Sequence, residues 1–408
     1  MIAPEPAALR AGSAWALASV VVALCVGLVR TIVTAHFLGP AEIGLMGIAL
    51  LALGLVEAVA STGMDTALVA QRDDVEAYLD PAFTIQVARG VTVFALLWLA
   101  APAIAWAFHD AAAAGVIRAV ATIAALRGLV NPAVAVVTRR LDFERLFWWS
   151  LPEALSSLTL TVWLVSLRRD VWALVIAVVV AQAIATIASY GIAPRVPRIV
   201  FRRQPIHALF RFGRFVSGSR ALMYFSVYLD SALVGLTMGT ASLGLYQFAV
   251  RIAELPVVTF TRAVAQVALP ALSAPHSTPA ALSRTWRLML GWVCAGNAAA
   301  ALAIVLLGGP AVAAIAGPRW LAAVPLIRIL AVAMFFRAVV VLAGQALDAM
   351  RRPALTLRLN AERLAALVIV LPLLGAWGGL PGIAAAVLLA NAAVASRALR
   401  LSVRVVSD

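Results

Sequence analysis

The sequence predicts an all-α polytopic membrane protein, with about 12 transmembrane helices in two pseudo-symmetric six-helix bundles around a central cleft. Three observations predict it. The 408-residue chain is 64% hydrophobic, with a mean hydropathy of +1.01; soluble domains are about half apolar. Apolar runs long enough to cross a bilayer recur along its whole length, separated by short charged segments. The first half of the chain is also echoed in the second.

A crossing helix needs about 20 apolar residues. Runs of that kind fall at 14–36, 42–70, 82–107, 111–137, 146–167, 171–193, 213–237, 242–271, 286–308, 322–348, 354–375 and 379–399. The run after Arg10 resembles a signal peptide, but it is longer than a signal's apolar core and leads straight into further spans, so an uncleaved first helix is expected. The tenth span is the least regular, because Pro310, Gly317, Pro318 and Pro325 interrupt its approach. These runs divide the chain into a bundle at 1–193, a basic linker at 194–212 and a bundle at 213–408. The longest connection, Pro194–Gly213, is too short for a folded soluble domain, which disfavours enzymes built around a large ectodomain. With the N-terminus inside, nineteen arginines fall in inner segments against four outside (Arg118, Arg168, Arg169 and Arg319), so both termini are expected in the cytoplasm. The acidic loop 71–80 fits poorly, but acidic residues weigh little in this rule.

The net charge is +14, and all 32 basic residues are arginine. A basic balance suits cationic inner loops, and nearly every helix is needed for lipid contact, so no nucleic-acid partner is implied. Cys25 and Cys294 lie inside apolar runs and form no disulfide framework. The four histidines, at 36, 109, 207 and 276, are scattered. No metal site, cofactor or catalytic constellation is expected, and the chain is not read as an enzyme.

The repeat is most visible in a short turn. Phe37-Leu38-Gly39-Pro40-Ala41-Glu42-Ile43-Gly44-Leu45 recurs as Thr237-Met238-Gly239-Thr240-Ala241-Ser242-Leu243-Gly244-Leu245. Glycine there tolerates positive φ and close helix approach. Ala177-Val178-Val179-Val180-Ala181-Gln182-Ala183 in the sixth span is matched by Ala386-Val387-Leu388-Leu389-Ala390-Asn391-Ala392 in the twelfth, and Arg139-Arg140 by Arg351-Arg352 in the loops before spans five and eleven. Six spans per half make the repeats parallel, an architecture suited to rocking about a site near the midplane.

The motifs Leu38-Gly39-Pro40-Ala41-Glu42-Ile43-Gly44-Leu45, Gly63-Met64-Asp65-Thr66-Ala67-Leu68-Val69, Phe212-Gly213, Leu229-Asp230-Ser231-Ala232-Leu233-Val234-Gly235, Arg251-Ile252-Ala253-Glu254-Leu255-Pro256 and Leu269-Pro270-Ala271-Leu272-Ser273 come in a fairly specific order. Over most of its length the chain therefore resembles the oligosaccharide flippase, or polysaccharide biosynthesis protein, family (O-antigen transporter type) of the multidrug/oligosaccharidyl-lipid/polysaccharide exporter superfamily. The resemblance implies alternating-access export of undecaprenyl-pyrophosphate-linked oligosaccharide across the bacterial cytoplasmic (inner) membrane for surface polysaccharide assembly. It also implies a functional link to glycosyltransferases and a polymerase. Many lipid flippases of this superfamily have fourteen spans, whereas about twelve are read here.

An ionisable group at the centre of a span costs about 2.5–3.5 kcal/mol on insertion scales. Arg89, Arg118, Arg214 and Arg328 lie close enough to span ends to snorkel. In the eighth span, Arg251 and Arg262 fall within about 20° of each other around the helix, with Glu254 one turn from Arg251. Such a stripe is either a cationic wall for the pyrophosphate of a carrier lipid, which the planar guanidinium fork suits, or, at Arg251, a local pair with Glu254. Arg30 and Arg220, in the first span of each half, are further candidates for the cationic wall. Arg127 and Asn131 share a face of span four, and Arg337 sits mid-span in span ten; structural pairing accounts for these as well. Glu57, Asp65, Asp230 and Glu254 are candidates for H+ or Na+ coupling or for counter-ions to arginine. Arg30 and Asp230 share the 200-residue repeat offset, which allows a salt bridge between halves.

Rival readings remain. A small-molecule antiporter of the same superfamily would want acidic and aromatic walls, where this chain leans to arginine. Another twelve-helix secondary transporter fits the span count, but the glycine-aspartate-basic signature of major facilitators is absent from the loop Ala70-Gln71-Arg72-Asp73-Asp74-Val75-Glu76. Asn131-Pro132-Ala133 matches the water-channel tripeptide, but that fold needs two copies.

Overall fold

In the computed structural model, the described residues are 6–61, 76–140, 142–192, 196–200, 222–273, 279–350 and 352–407. They are helical almost throughout: α1 Pro6–Phe37, α2 Pro40–Val59, α3 Glu76–Ala107, α4 Ala112–Gly128, α5 Ala133–Arg139, α6 Phe143–Arg168, α7 Val171–Ser189, α8 Leu222–Met238, α9 Thr240–Ser273, α10 Pro279–Ile315, a 3-10 turn at Pro318–Ala323, α11 Val324–Ala349 and α12 Pro353–Ser407. By length and apolarity alone, eight of these can cross a membrane, or nine if the bent α4–α5 pair is one span. The protein is an all-α, multi-span membrane protein.

The lower count than the expected twelve has local causes. Helix α9 carries Arg251, Glu254 and Arg262 in its apolar run. Helix α8 is short, and the start of its expected span lies outside the described residues. The stretch Ala354–Arg404 counts once, yet as one straight helix it would be about 75 Å long, more than twice the thickness of a hydrocarbon core. It is not straight. Gly379, at φ 56 and ψ −140, breaks α12 into two arms. A Cβ at Gly382 would strike the carbonyl of Leu374, and Arg363 reaches Asn391 at 2.8 Å, so the arms lie side by side. A side chain strains that backbone, so Gly379→Ala is expected to cost about 1–3 kcal/mol, read as a lower unfolding temperature in detergent. Gly378→Ala, which has nothing within 4 Å of a Cβ and no positive φ, is the control.

The fourth expected span, 111–137, is also not one helix. The chain turns by 66° between α4 and α5, because Pro132 has no N–H to continue the ladder. Inside a bilayer the freed carbonyls must find donors, and they do. Thr186 donates to Leu126, Gln86 to Arg127 and Val130, and Tyr190 to Leu129. Asn131 does not share a helical face with Arg127 but sits in the break, its N–H on Ser189 Oγ and its Oδ1 accepting from Ala133 N.

Contacts divide the chain into two units, 1–38 with 45–224, and 39–44 with 225–408. In the first, α4 packs on α3 and α7, and α6 packs on α7 and α1. Half of the α7 span is buried, against 17% of the α1 and α6 spans, so α7 faces protein while α1 and α6 present most of their surface outward. Asp142 and Asp170 cap α6 and α7 by accepting from Arg145 N and Ala173 N. Of the expected linker, residues 196–200 lie along α3: Arg198 N donates to Asp80 and Val200 N to Thr84. In the second unit α11 is central, 61% buried over its span and touching α9, α10 and α12. Trp320 of the 3-10 turn is fully buried against Phe248 of α9, ring centroids 4.3 Å apart.

The repeated turn has a physical reason. Gly44 packs on the main chain of Thr240, and Gly244 on that of Pro40, so equivalent residues of the two repeats meet reciprocally within the second unit. Neither glycine has room for a Cβ. Gly239 takes φ 83 in its copy of the turn, and Glu42 caps the other copy by accepting from Gly39 N at 3.0 Å.

Candidate functional site

In each unit, polar side chains within the apolar runs pair across helices. In the first, Glu57 of α2 meets Arg127 of α4 at 2.6 Å. Arg127 Nε also donates to Gln182 Oε1 of α7 at 3.1 Å. Arg30 of α1 donates to Ser157 Oγ of α6 at 3.2 Å. Glu153, also on α6, feels the charges of both Arg127 and Arg30. Two arginines and two glutamates thus share one bundle. The sequence reading missed Glu153, although a carboxylate inside an apolar run is itself the signal.

In the second unit, Glu254 of α9 meets Arg337 of α11 at 3.6 Å. Arg363, in the first arm of α12, donates to Asn391 Oδ1 at 2.8 Å and to the Ser226 carbonyl at 3.1 Å. Asn391 in turn donates to the Ala333 carbonyl at 3.1 Å. Tyr246 donates to Asp230 Oδ2 at 2.8 Å, and Ser231 N to Oδ1 at 2.7 Å. Arg363 was not singled out from the sequence, although it lies within an apolar run. The signal was available in Asn391, a buried amide at the repeat position of Gln182.

The networks repeat each other. In each, a glutamate near the start of the repeat pairs with an arginine from a later helix, Glu57 with Arg127 and Glu254 with Arg337. In each, the amide of the matched alanine-amide-alanine segment accepts from an arginine Nε. A carboxylate and a guanidinium held together inside a bilayer spare each other's desolvation, whereas removing one partner strands a charge. These pairs are 23–47% exposed, so a value between the exposed and buried limits is expected. Glu254→Gln should lower stability by about 1–2 kcal/mol, and Glu254→Gln with Arg337→Gln should recover most of it. A double variant no more stable than the single would contradict the pairing.

The expected Arg251–Glu254 pair is replaced by this inter-helix pair, because the carboxylate of Glu254 is engaged by α11. Arg251 is exposed and has no salt-bridge partner among the described residues. It does lie within electrostatic reach of Tyr228, as do Glu254 and Arg337. Arg262 lies on α9, but its side chain is outside the described residues, as are Arg220 and Asp65. Cys25 and Cys294 are both free. Among the described residues, no group of three or more metal-ligating side chains is present.

Teichuronic acid biosynthesis protein TuaB of Bacillus subtilis (strain 168) is 23% identical over 281 residues, 68% of this chain and 58% of TuaB. Succinoglycan biosynthesis transport protein ExoT of Rhizobium meliloti (strain 1021) is 23% identical over 299 residues, 73% of this chain and 60% of ExoT. The chain thus spans about three fifths of the length of these curated relatives. Among solved structures, Lipid II flippase MurJ in an inward closed conformation superposes with a TM-score of 0.81 at 13% identity, over 96% of this chain and 87% of MurJ. That likeness shows the fold alone. The family model for polysaccharide biosynthesis protein matches residues 33–325, well over half of the sequence, and the chain belongs to that family.

Proposed function

We propose that this chain flips a polyprenyl-diphosphate-linked oligosaccharide across the bacterial cytoplasmic membrane by alternating access, for surface polysaccharide assembly, with both termini cytoplasmic. The observation that carries this reading is the state of α9. Glu254 is engaged by Arg337, which leaves Arg251, in a helix that the sequence reads as the eighth span, with no salt-bridge partner among the described residues. A stranded cation there is costly unless it serves an anion, and a guanidinium matches the oxygens of a diphosphate. Family membership supports a polysaccharide precursor as the substrate class: TuaB and ExoT are named for teichuronic acid and succinoglycan biosynthesis. Arg262, Arg30 and Arg220 complete the proposed cationic wall. Asp230, held by hydrogen bonds and not by a salt bridge among the described residues, is the acid assigned to H+ coupling.

A cation-exporting antiporter is the weaker reading. It would want acidic and aromatic walls, whereas the charge inside the apolar runs leans to arginine, and both Glu57 and Glu254 carry arginine partners. The deciding experiment uses proteoliposomes loaded with a fluorescent polyprenyl-diphosphate oligosaccharide. The chain should equilibrate it between leaflets within minutes, and Arg262→Ala should slow that by about tenfold. Transport of a lipophilic cation with no movement of the glycolipid would reject the proposal.

A further inference from the structure

A groove lies in the first unit. It has a volume of about 390 Å³, lies between α1, α5 and α6, and is lined by Ser19, Thr138, Phe143, Leu146, Trp149 and Ser150 among others. Its hydroxyls are already engaged: Ser19, Thr138 and Ser150 donate to the carbonyls of Trp15, Val134 and Phe147 on their own helices. Trp149 is fixed as a wall by its indole N–H on the Ala185 carbonyl at 3.1 Å. The interior is therefore apolar in effect and suits a hydrocarbon chain rather than a sugar or an ion.

The chain next to the groove wall is basic. Thr138 is followed directly by Arg139 and Arg140, both exposed and without a salt-bridge partner among the described residues. Arg145 lies just beyond, paired with Asp142 at 3.1 Å. The remaining acid, Glu144, is exposed. At about 100° per residue it projects from the side of α6 away from Phe143, Leu146 and Ser150. Trp148, 56% exposed, clusters with Phe147 and Trp15, the kind of aromatic group that sits at headgroup level. A greasy slot next in sequence to two arginines without a salt-bridge partner among the described residues has the chemistry of an anionic lipid site.

We propose that this groove binds one acyl chain of an anionic membrane phospholipid whose phosphate rests on Arg139 and Arg140. The site is built wholly from the first unit and does not depend on the transport reading. The test is native mass spectrometry of the full chain in detergent with equal amounts of palmitoyl-oleoyl phosphatidylglycerol and phosphatidylcholine. The expected result is one retained phosphatidylglycerol, favoured by about tenfold or more over phosphatidylcholine. Arg139→Gln with Arg140→Gln should remove that preference. Ser150→Phe, which fills the groove, should lower retention of both lipids, and Arg352→Gln, in the corresponding loop of the second half, should change nothing. Equal retention of the two lipids by the unaltered chain would overturn the proposal, as would an undiminished preference in the double variant. Unchanged retention in Ser150→Phe would also overturn it, by removing the acyl chain from the groove.

Discussion

Replacing Arg251 by glutamate is expected to abolish delivery of the glycan to the cell surface while the chain still inserts at normal levels. Arg251 has no salt-bridge partner among the described residues, so its loss breaks no ion pair and should leave stability near that of the parent. What it removes is a charge-assisted bond to an anion. Bonds to charged groups are worth about 1.5–3 kcal/mol, so Arg251→Gln alone should reduce flipping by about 10- to 100-fold. Glutamate does more, because it adds a second carboxylate one turn from Glu254 and so repels the same phosphate. Arg251→Lys should keep part of the activity, since an ammonium retains the charge but not the planar fork. Surface polysaccharide measured in a strain lacking its own copy checks all three. Full delivery by the glutamate variant would show that Arg251 has no part in transport.

Gly44→Leu and Gly244→Leu are expected to be the most destabilising single changes in the chain. At each position a Cβ would meet main chain, the carbonyl of Thr240 or of Pro40, and not a side chain that can swing away. Overpacking of a tight contact typically costs about 1–3 kcal/mol, and occasionally more; here relief requires the crossing itself to open. The expectation is aggregation on detergent extraction, or a fall of many degrees in unfolding temperature. Gly291→Leu, where a Cβ meets nothing within 4 Å, should be tolerated. Equal stability of the Gly44 and Gly291 variants would contradict the close crossing.

These two predictions mark what was legible in the sequence and what was not. The turn at 37–45 and its copy at 237–245 were visible because glycine and proline act locally, and the same residues make the crossing. The alanine-amide-alanine echo was visible as a repeat, but its purpose was not. Gln182 and Asn391 each accept from an arginine on another helix or helix arm, and such partners leave no trace in local spacing. For the same reason Glu254 invited pairing with Arg251, one turn away, when its partner is Arg337 on α11. Pro132 was in plain view, yet hydrophobicity continued across it and 111–137 read as one span. What restored the break's lost hydrogen bonds, the side chains of Gln86, Thr186 and Tyr190, comes from other helices. Arg363 was not singled out for the same reason: its partners, Asn391 and the Ser226 carbonyl, lie far away in the sequence.

The most direct test of the account is a binding measurement on the purified chain with two glycolipids identical in sugar and polyprenyl chain, one joined by a diphosphate and one by a neutral ether. If arginines at bilayer depth receive the phosphates, the diphosphate form should bind at least about tenfold more tightly, and Arg251→Gln should erase most of that difference without weakening the ether form. Equal affinity for the two lipids, or a difference that survives loss of Arg251, would contradict it.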